Sequence, residues 1–357
     1  MGTTLIFPCC VREGGVYAEA ARDRGEQVVA ASSLANDETA ESFKTWFYLP
    51  PVHDESFVSC LDEAVVKYAI ARIFCPVPVA HVVLCGLIAD GKLSVPLIGE
   101  MAIDRHEREH RELMATAVAR HAFIQEVSER RSPLTPIDVA AVLRQALGGF
   151  GQSNENKIAA MIATFADAPH GDIVEIGVLT GRSACVLALM AQRHGIGPVL
   201  AVDPWSGPLA VQRDLPPALQ AWANAWDMSS AFESFVVALL PMAEKGKFNY
   251  LAMPSREAHA AWSRRTQVDS PHFGNVRYGG AIAVLHIDGN HDYACVREDC
   301  ALWVPYLLPG GWLILDDYVL LQGDGPRRVG DALLKERAAD ISRAFVCGKA
   351  LFIKLGG

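Results

Sequence analysis

Concentrated positive charge is what this 357-residue sequence lacks first. It has 32 Lys and Arg against 41 Asp and Glu, a formal net charge of −9, and a pI near 5.7. Phosphate backbones are gripped by clustered Lys and Arg, so the absence of any basic cluster argues against a nucleic-acid partner. A C-x-x-C pair is missing too. The nine cysteines (Cys9, Cys10, Cys60, Cys75, Cys85, Cys185, Cys295, Cys300 and Cys347) are scattered and mostly lie in apolar runs. An odd, unpatterned set of that kind fits reduced, buried thiols in a cytoplasmic protein. No apolar run is long enough for a bilayer: the longest, Val77 to Ile88, is short and contains His81. The N-terminus has no charged segment leading into an apolar stretch, so neither a signal peptide nor a membrane partner is expected.

What is present describes an ordinary globular protein. Hydrophobic residues make up 51% and charged residues 20%, enough for well-filled cores, and the length suggests two domains. Over residues 1–100, strand-like runs at Thr3 to Pro8, Gln27 to Ala31, Trp46 to Leu49 and Ile73 to Cys75 alternate with helical patterns at Val16 to Arg24, Phe57 to Tyr68 and Val79 to Ile88. Such alternation implies a small parallel sheet covered on both faces, with Gly25 capping the first helix and Gly14-Gly15 forming a plain turn. Leu5-Ile-Phe7, Arg24-Gly-Glu-Gln-Val-Val-Ala-Ala31, Phe47-Tyr-Leu-Pro-Pro51 and Asp54-x-x-Phe57 resemble the pre-ATP-grasp domain of ATP-grasp ligases, but no ATP-grasp domain follows. Glu100 to Arg131, dense in Glu and Arg three and four apart, reads as an exposed helix, and residues 101–150 read as a helical connector. His106 and His110 could share one face of it, yet no carboxylate trio or cysteine completes a metal site there.

Residues 151–357 carry the pattern of a doubly wound α/β domain. Strands are expected at Ile173–Ile176, Val199–Val202, Phe248–Ala252, Ala281–Ile287, Trp312–Leu315, Ala344–Cys347 and Leu351–Leu355. The tight Gly348-Lys349 link makes the last two an antiparallel hairpin. Gly323 to Val329 should break structure before the last helix. The organising stretch is Asp172-Ile-Val-Glu-Ile-Gly-Val-Leu-Thr-Gly-Arg-Ser183: a buried strand, a glycine turn from Gly177 to Gly181, and a helix opening at Arg182-Ser183. A strand feeding such a turn holds nucleotide-like ligands against backbone amides. The spacing is G-x-x-x-G, and without a middle glycine a dinucleotide, and hence an NAD-linked oxidoreductase, is disfavoured. At the tip of the next strand, Asp203 is placed to grip a ribose diol or else to cap a helix or turn, with Trp205 available to cover an adenine or close the pocket. Ser255, after the third strand, is either an adenine-edge contact or a helix N-cap.

Glu175-x-Gly177-x-x-x-Gly181 resembles the first motif of class I S-adenosylmethionine (SAM) methyltransferases. His286-Ile-Asp288-Gly-Asn-His291-Asp-Tyr293, Trp303 and Leu308-Pro-Gly-Gly-Trp-Leu-Ile-Leu-Asp316-Asp317-Tyr318 extend the likeness to metal-dependent O-methyltransferases of the macrocin O-methyltransferase group and their sugar-modifying relatives. That resemblance implies a Rossmann-like sheet of seven strands and a SAM site at Glu175, Gly177, Gly181, Ser183, Asp203, Trp205, Ser255 and Asp288. The methyl acceptor it implies is a hydroxyl of a sugar or glycosylated metabolite. If the first strand is central, Glu175, Asp288 and Asp316-Asp317 end on one rim, where crowded carboxylates need a cation among them. All-oxygen ligation by Asp288, Asp316 and Asp317 suits Mg²⁺ or Mn²⁺. Successive strand residues face opposite ways, so both Asp316 and Asp317 can ligate only if the chain leaves strand geometry between them. His291 is the expected proton acceptor; Asn290 cannot serve, and Asp299 is expected on a helix face. Insertions at Trp205 to Met228, with Trp222 and Trp226, and at Arg264 to Gly280, with His272, Arg277 and Tyr278, are expected to flank this rim as lids. The N-terminal domain would serve substrate recognition or self-association, making a homo-oligomer. A non-catalytic SAM-binding protein is the other reading of the same fold.

Overall fold

The structure is a computed structural model that describes residues 2–221, 225–264 and 267–357. It divides into two compact units, Met1–Glu112 and Leu113–Gly357.

The first unit is a five-stranded, all-parallel sheet. Its strands are β1 (Thr3–Ile6), β2 (Val28–Ser32), β3 (Trp46–Tyr48), β4 (Ile70–Phe74) and β5 (Leu97–Ile98), in the order β3-β2-β1-β4-β5. Helices α1 (Arg12–Asp23), α2 (Phe57–Lys67) and α3 (Pro78–Ala89) link the strands. The sheet has one strand more than the sequence suggested, because β5 adds only two residues to the edge. Gly14-Gly15 is not a turn; both residues lie inside α1. A Cβ on Gly14 would stand 3.0 Å from the Cys9 carbonyl oxygen, so glycine lets this helix begin early against the strand tip.

The division falls within α4 (Ala102–Val127). Its first half is exposed and laced with ion pairs, Arg108 with Glu100 (2.9 Å) and Glu112 (3.3 Å), and Arg111 with Glu107 (3.5 Å). His106 and His110 are exposed there. The expected connector over 101–150 is not a separate layer. From Ala117 onward its apolar residues, with those of α5 (Pro136–Leu147), belong to the core of the second unit.

In the second unit α6 (Glu155–Phe165) precedes β6 (Asp172–Ile176), followed by α7 (Arg182–His194) and β7 (Val199–Val202). After the short turns α8 (Gly207–Ala210) and α9 (Pro217–Gln220) come α10 (Met228–Leu239), β8 (Phe248–Leu251), α11 (Ser255–Arg264), β9 (Gln267–Ser270) and β10 (Gly274–Arg277). The chain ends with β11 (Ile282–Ile287), α12 (Tyr293–Trp303), β12 (Leu307–Leu315), α13 (Gly325–Glu336), β13 (Ile341–Cys347) and β14 (Ala350–Leu355). Seven strands form one sheet in the order β13-β14-β12-β11-β6-β7-β8. The β12-β14 and β13-β14 pairs are antiparallel and the others parallel, so the expected Rossmann-like α/β sheet with a terminal hairpin is present. Both faces are buried, as the unbroken apolar runs of β7 and β11 require. No helix of the described residues is long and apolar enough to cross a membrane.

Two expectations fail here. The Arg264 to Gly280 insertion is an antiparallel β9-β10 hairpin at the opposite end of the sheet from the rim. The Tyr278 hydroxyl donates to the Val199 carbonyl, and the Gly279 and Gly280 amides donate to the Asp172 carboxylate, both where strands begin. Tyr278 is buried, so it is a structural residue and not a substrate contact. Gly325 and Pro326 open α13 instead of breaking it, since proline is tolerated in a first helical turn.

Candidate active site

β6 and β11 are neighbours at the centre of the sheet, and a cavity of about 390 Å³ lies outside their carboxyl ends. Ligands of open α/β sheets bind at such a place. Gly177 to Thr180, Ser183, Asp203, Ser255, Asp288 to His291, Asp316 and Asp317 line it. The first insertion supplies a wall through Ser206, Gln212 and Trp226, whereas Trp222 lies outside the described residues.

The glycine loop is shaped for a close backbone approach. Gly177 has φ +82°, and a Cβ there would lie 2.1 Å from the Asp288 carbonyl oxygen. Gly181, with φ +88°, caps α7 and does not line the cavity. Asp203 holds the loop from the next strand: its carboxylate accepts the backbone N–H groups of Val178 (2.8 Å), Leu179 (2.9 Å) and Trp205 (2.7 Å). Burial raises its pKa despite these three bonds. Trp205 turns away from the cavity. Its indole N–H donates to the Leu179 carbonyl, and its ring packs on Phe232, Phe235 and Tyr250. Ser255 is the first residue of α11, not its N-cap, and its hydroxyl accepts from the Trp303 indole. Asp299 is on a helix, as expected, but buried beside the cavity with its carboxyl pushed up to about 6 by burial.

Glu175 lies beneath the cavity, not on its wall. It is fully buried opposite His286 on the neighbouring strand, and the two side chains meet at 2.9 Å between Oε1 and Nδ1. Among the described residues its Oε2 and the His286 Nε2 have no hydrogen-bond partner. Asp288 and Asp316 sit above this pair. Between them lies a cation that the sequence reading missed. Lys157, from α6 and only 2% exposed, donates to Asp316 Oδ2, and its Nζ is 3.4 Å from Asp288 Oδ2. Burial opposes the ammonium's charge, but Asp288, Asp316 and Glu175 outweigh it and raise the pKa. Burial likewise opposes ionisation of Asp316, yet Lys157 holds that carboxyl well below the usual range. Asp288 stays high, at about 6, through burial and the nearby Asp316 charge. One signal was available in the sequence: Lys157 is the lone basic residue at the head of an apolar helical run ending at Phe165.

The chain does leave strand geometry after Asp316. β12 ends at Leu315 and Asp317 takes φ +52°, so both carboxylates reach the cavity. Asp317 is held by Lys349 from the β13-β14 turn and by His291, whose Nε2 lies 3.0 Å from Oδ2. His291 Nε2 is also 3.9 Å from Asp288 Oδ1. Burial lowers the imidazole's pKa, but Asp288, Asp317 and Asp316 overcome that and raise it. Its Nδ1 lies 3.0 Å from the Gln212 side-chain amide, a hydrogen bond. The strapping of the insertion to this segment is dense. The Asn290 amide donates to the Leu209 and Val211 carbonyls, and the Asp292 carboxylate accepts from the Arg213 and Asp214 amides.

Among the described residues two groups could hold a metal, His286–Asp288–Asp316 and Asp288–His291–Asp317, each with ligand atoms within 4.8 Å of one another. The second faces the cavity, where Asp288, His291 and Asp317 all lie on the wall. That donor set fits a divalent cation.

Residues 174–318 match the family model described as a methyltransferase domain. Over these residues the second unit is similar to a methyltransferase domain. No curated protein is matched by the chain. Among solved structures, the O-methyltransferase NovP is 19% identical over 56% of this chain and 80% of its own, with a TM-score of 0.38. The calicheamicin methyltransferase CalS11 is 14% identical over 73% of this chain and 95% of its own, at 0.38. MycE, a methyltransferase of the mycinamycin biosynthetic pathway solved with Mg and SAH, is 14% identical over 62% of this chain and 57% of its own, at 0.37.

Proposed function

We propose that the methyltransferase domain carries out metal-assisted O-methylation of a hydroxyl on a sugar or glycosylated small metabolite. The observation that carries this reading is the opening of the Asp288–His291–Asp317 cluster into the same cavity as the glycine loop. The sugar class rests on the likeness of Ile287 to Tyr293 and Leu308 to Tyr318 to the macrocin O-methyltransferase group.

The glycine loop, pinned by Asp203, would seat the SAM backbone against the Val178 to Thr180 segment, with Ser183 at the mouth of α7 and Ser255 on the far wall. Asp288 and Asp317 would hold Mg²⁺ or Mn²⁺ with solvent and the acceptor oxygen, the sparse carboxylate ligation such ions accept. A bound divalent ion stabilises the alkoxide of an acceptor hydroxyl. His291, beside both carboxylates, would take the hydroxyl proton at Nε2. The wall at Ser206, Gln212 and Trp226 would exclude water and leave methyl transfer to in-line placement. The acidic net charge supports a small-molecule acceptor over a nucleic acid.

The test is transfer of a labelled methyl group from SAM to a panel of nucleotide sugars and glycosides. Transfer should stop with chelator, return with Mg²⁺ or Mn²⁺, and disappear in His291→Ala while product-cofactor binding by calorimetry survives. Binding without any transfer across the panel would favour a non-catalytic SAM-binding protein. Transfer indifferent to chelation would remove the metal from the reading.

A further inference from the structure

We propose that Lys157 is a resident cation that fills the inner half of the carboxylate cluster and limits the chain to one divalent ion. This rests on the metal-assisted reading above and deepens it. The two candidate ligand groups share Asp288, which would bridge them. A carboxylate shared by neighbouring positions is what a two-metal centre requires. The inner group has the features of a built site. His286 is fully buried and hands its Nδ1–H to Glu175, the carboxylate–histidine pairing that orients metal-bound imidazoles. Its Nε2 has no hydrogen-bond partner among the described residues and lies 4.0 Å from Asp288 Oδ2.

Lys157 Nζ reaches the same two acids, touching Asp316 Oδ2 and lying 3.4 Å from Asp288 Oδ2. An ammonium there supplies one positive charge and three donors but no open coordination position. A divalent ion entering the inner half would meet that charge at close range in a buried setting, where screening is weak. The outer half, between Asp288 and Asp317 beside His291, faces the cavity, and the ammonium that touches it, Lys349 on Asp317 Oδ1, is 38% exposed and has solvent to move into. Lys157 is buried with the apolar face of α6, so it cannot swing out to solvent to make room.

The experiment counts bound Mn²⁺ per full-length chain, by equilibrium dialysis read with electron paramagnetic resonance, in the wild type, Lys157→Met and Lys157→Gln. Far-UV circular dichroism and product-cofactor binding report whether each variant is folded. One ion in the wild type and two in the variants is the expected result, with spin–spin broadening from the paired ions. One ion in all three, or two in the wild type, overturns the role of Lys157 and leaves the metal reading standing. With none in the wild type the metal reading falls; one ion gained by the variants would keep Lys157 as the plug, and none would end both. If neither variant folds, an anomalous map of wild-type crystals soaked in Mn²⁺ decides. A peak confined to the Asp288–Asp317 position supports the assignment. A peak among His286, Asp288 and Asp316, or no peak, overturns it.

Discussion

Gln212 and His291 meet at 3.0 Å, side-chain amide nitrogen to Nδ1, and this bond ties the wall after β7 to the imidazole of the rim. The two ends of the amide are interchangeable in position, and with its oxygen facing Nδ1–H the ring is held in the tautomer that leaves Nε2, facing Asp317, open to receive a proton. Gln212→Leu would free the ring to rotate. Methyl transfer should then slow on the order of tenfold or more, the usual effect of losing an orienting bond, with product-cofactor affinity unchanged. Single-turnover rates and calorimetry on the same variant check this; equal losses in both would mean the wall has collapsed.

Asp203 secures three backbone amides at once, those of Val178, Leu179 and Trp205. Each buried donor left unpaired costs about 1–3 kcal/mol. Asp203→Ala should therefore weaken product-cofactor binding by about 100-fold or more, since 1.4 kcal/mol is tenfold. Isothermal calorimetry measures it, and affinity within a few fold of wild type would contradict the loop-pinning role.

Gly177 can take no side chain. Its φ of +82° is in the left-handed region, and an added Cβ would overlap the Asp288 carbonyl. Gly177→Ala should cost more than about 3 kcal/mol, strain plus displacement of a strand end. Urea unfolding followed by fluorescence would report it; a near-neutral result would mean that the β6 and β11 tips are not packed this closely.

Asp299 offers a pH test. Burial holds its carboxyl up at about 6, with Ser255 offsetting part of the rise, against an ordinary value of 3.8. The folded protein then binds this proton more readily than the unfolded chain. Stability falls as pH rises from about 4 to 6, and the penalty stays in place above that, at most roughly 3 kcal/mol. Asp299→Asn should stabilise the protein at pH 8 and do nothing near pH 3.5. Chemical denaturation at the two pH values checks it, and an equal effect at both would rule out the buried carboxylate as the cause.

The strands of the second unit were legible because each is a short β-rich run ending in a turn signal; β7 is found at Val199–Val202 as expected. Asp203, Asp288, Asp316 and Asp317 were legible as acids at strand tips, and all four reach the cavity. Trp205 was misplaced because its aromatic neighbours, Phe232, Phe235 and Tyr250, come from elements far along the chain. The β9-β10 hairpin went unseen since glycine and polar residues there look like loop. Its place at the far end follows from α11 returning the chain across the sheet.

The sequence by itself determined the doubly wound order, the glycine turn and the row of acids at the strand tips, because these follow from local periodicity and from the rule that strand ends face the ligand. Only the tertiary structure decided how the charges are shared. Lys157 reaches Asp316 from 159 residues away and His286 faces Glu175 across 111. Pairings of that length are set by sheet register and helix docking, and no local pattern encodes them.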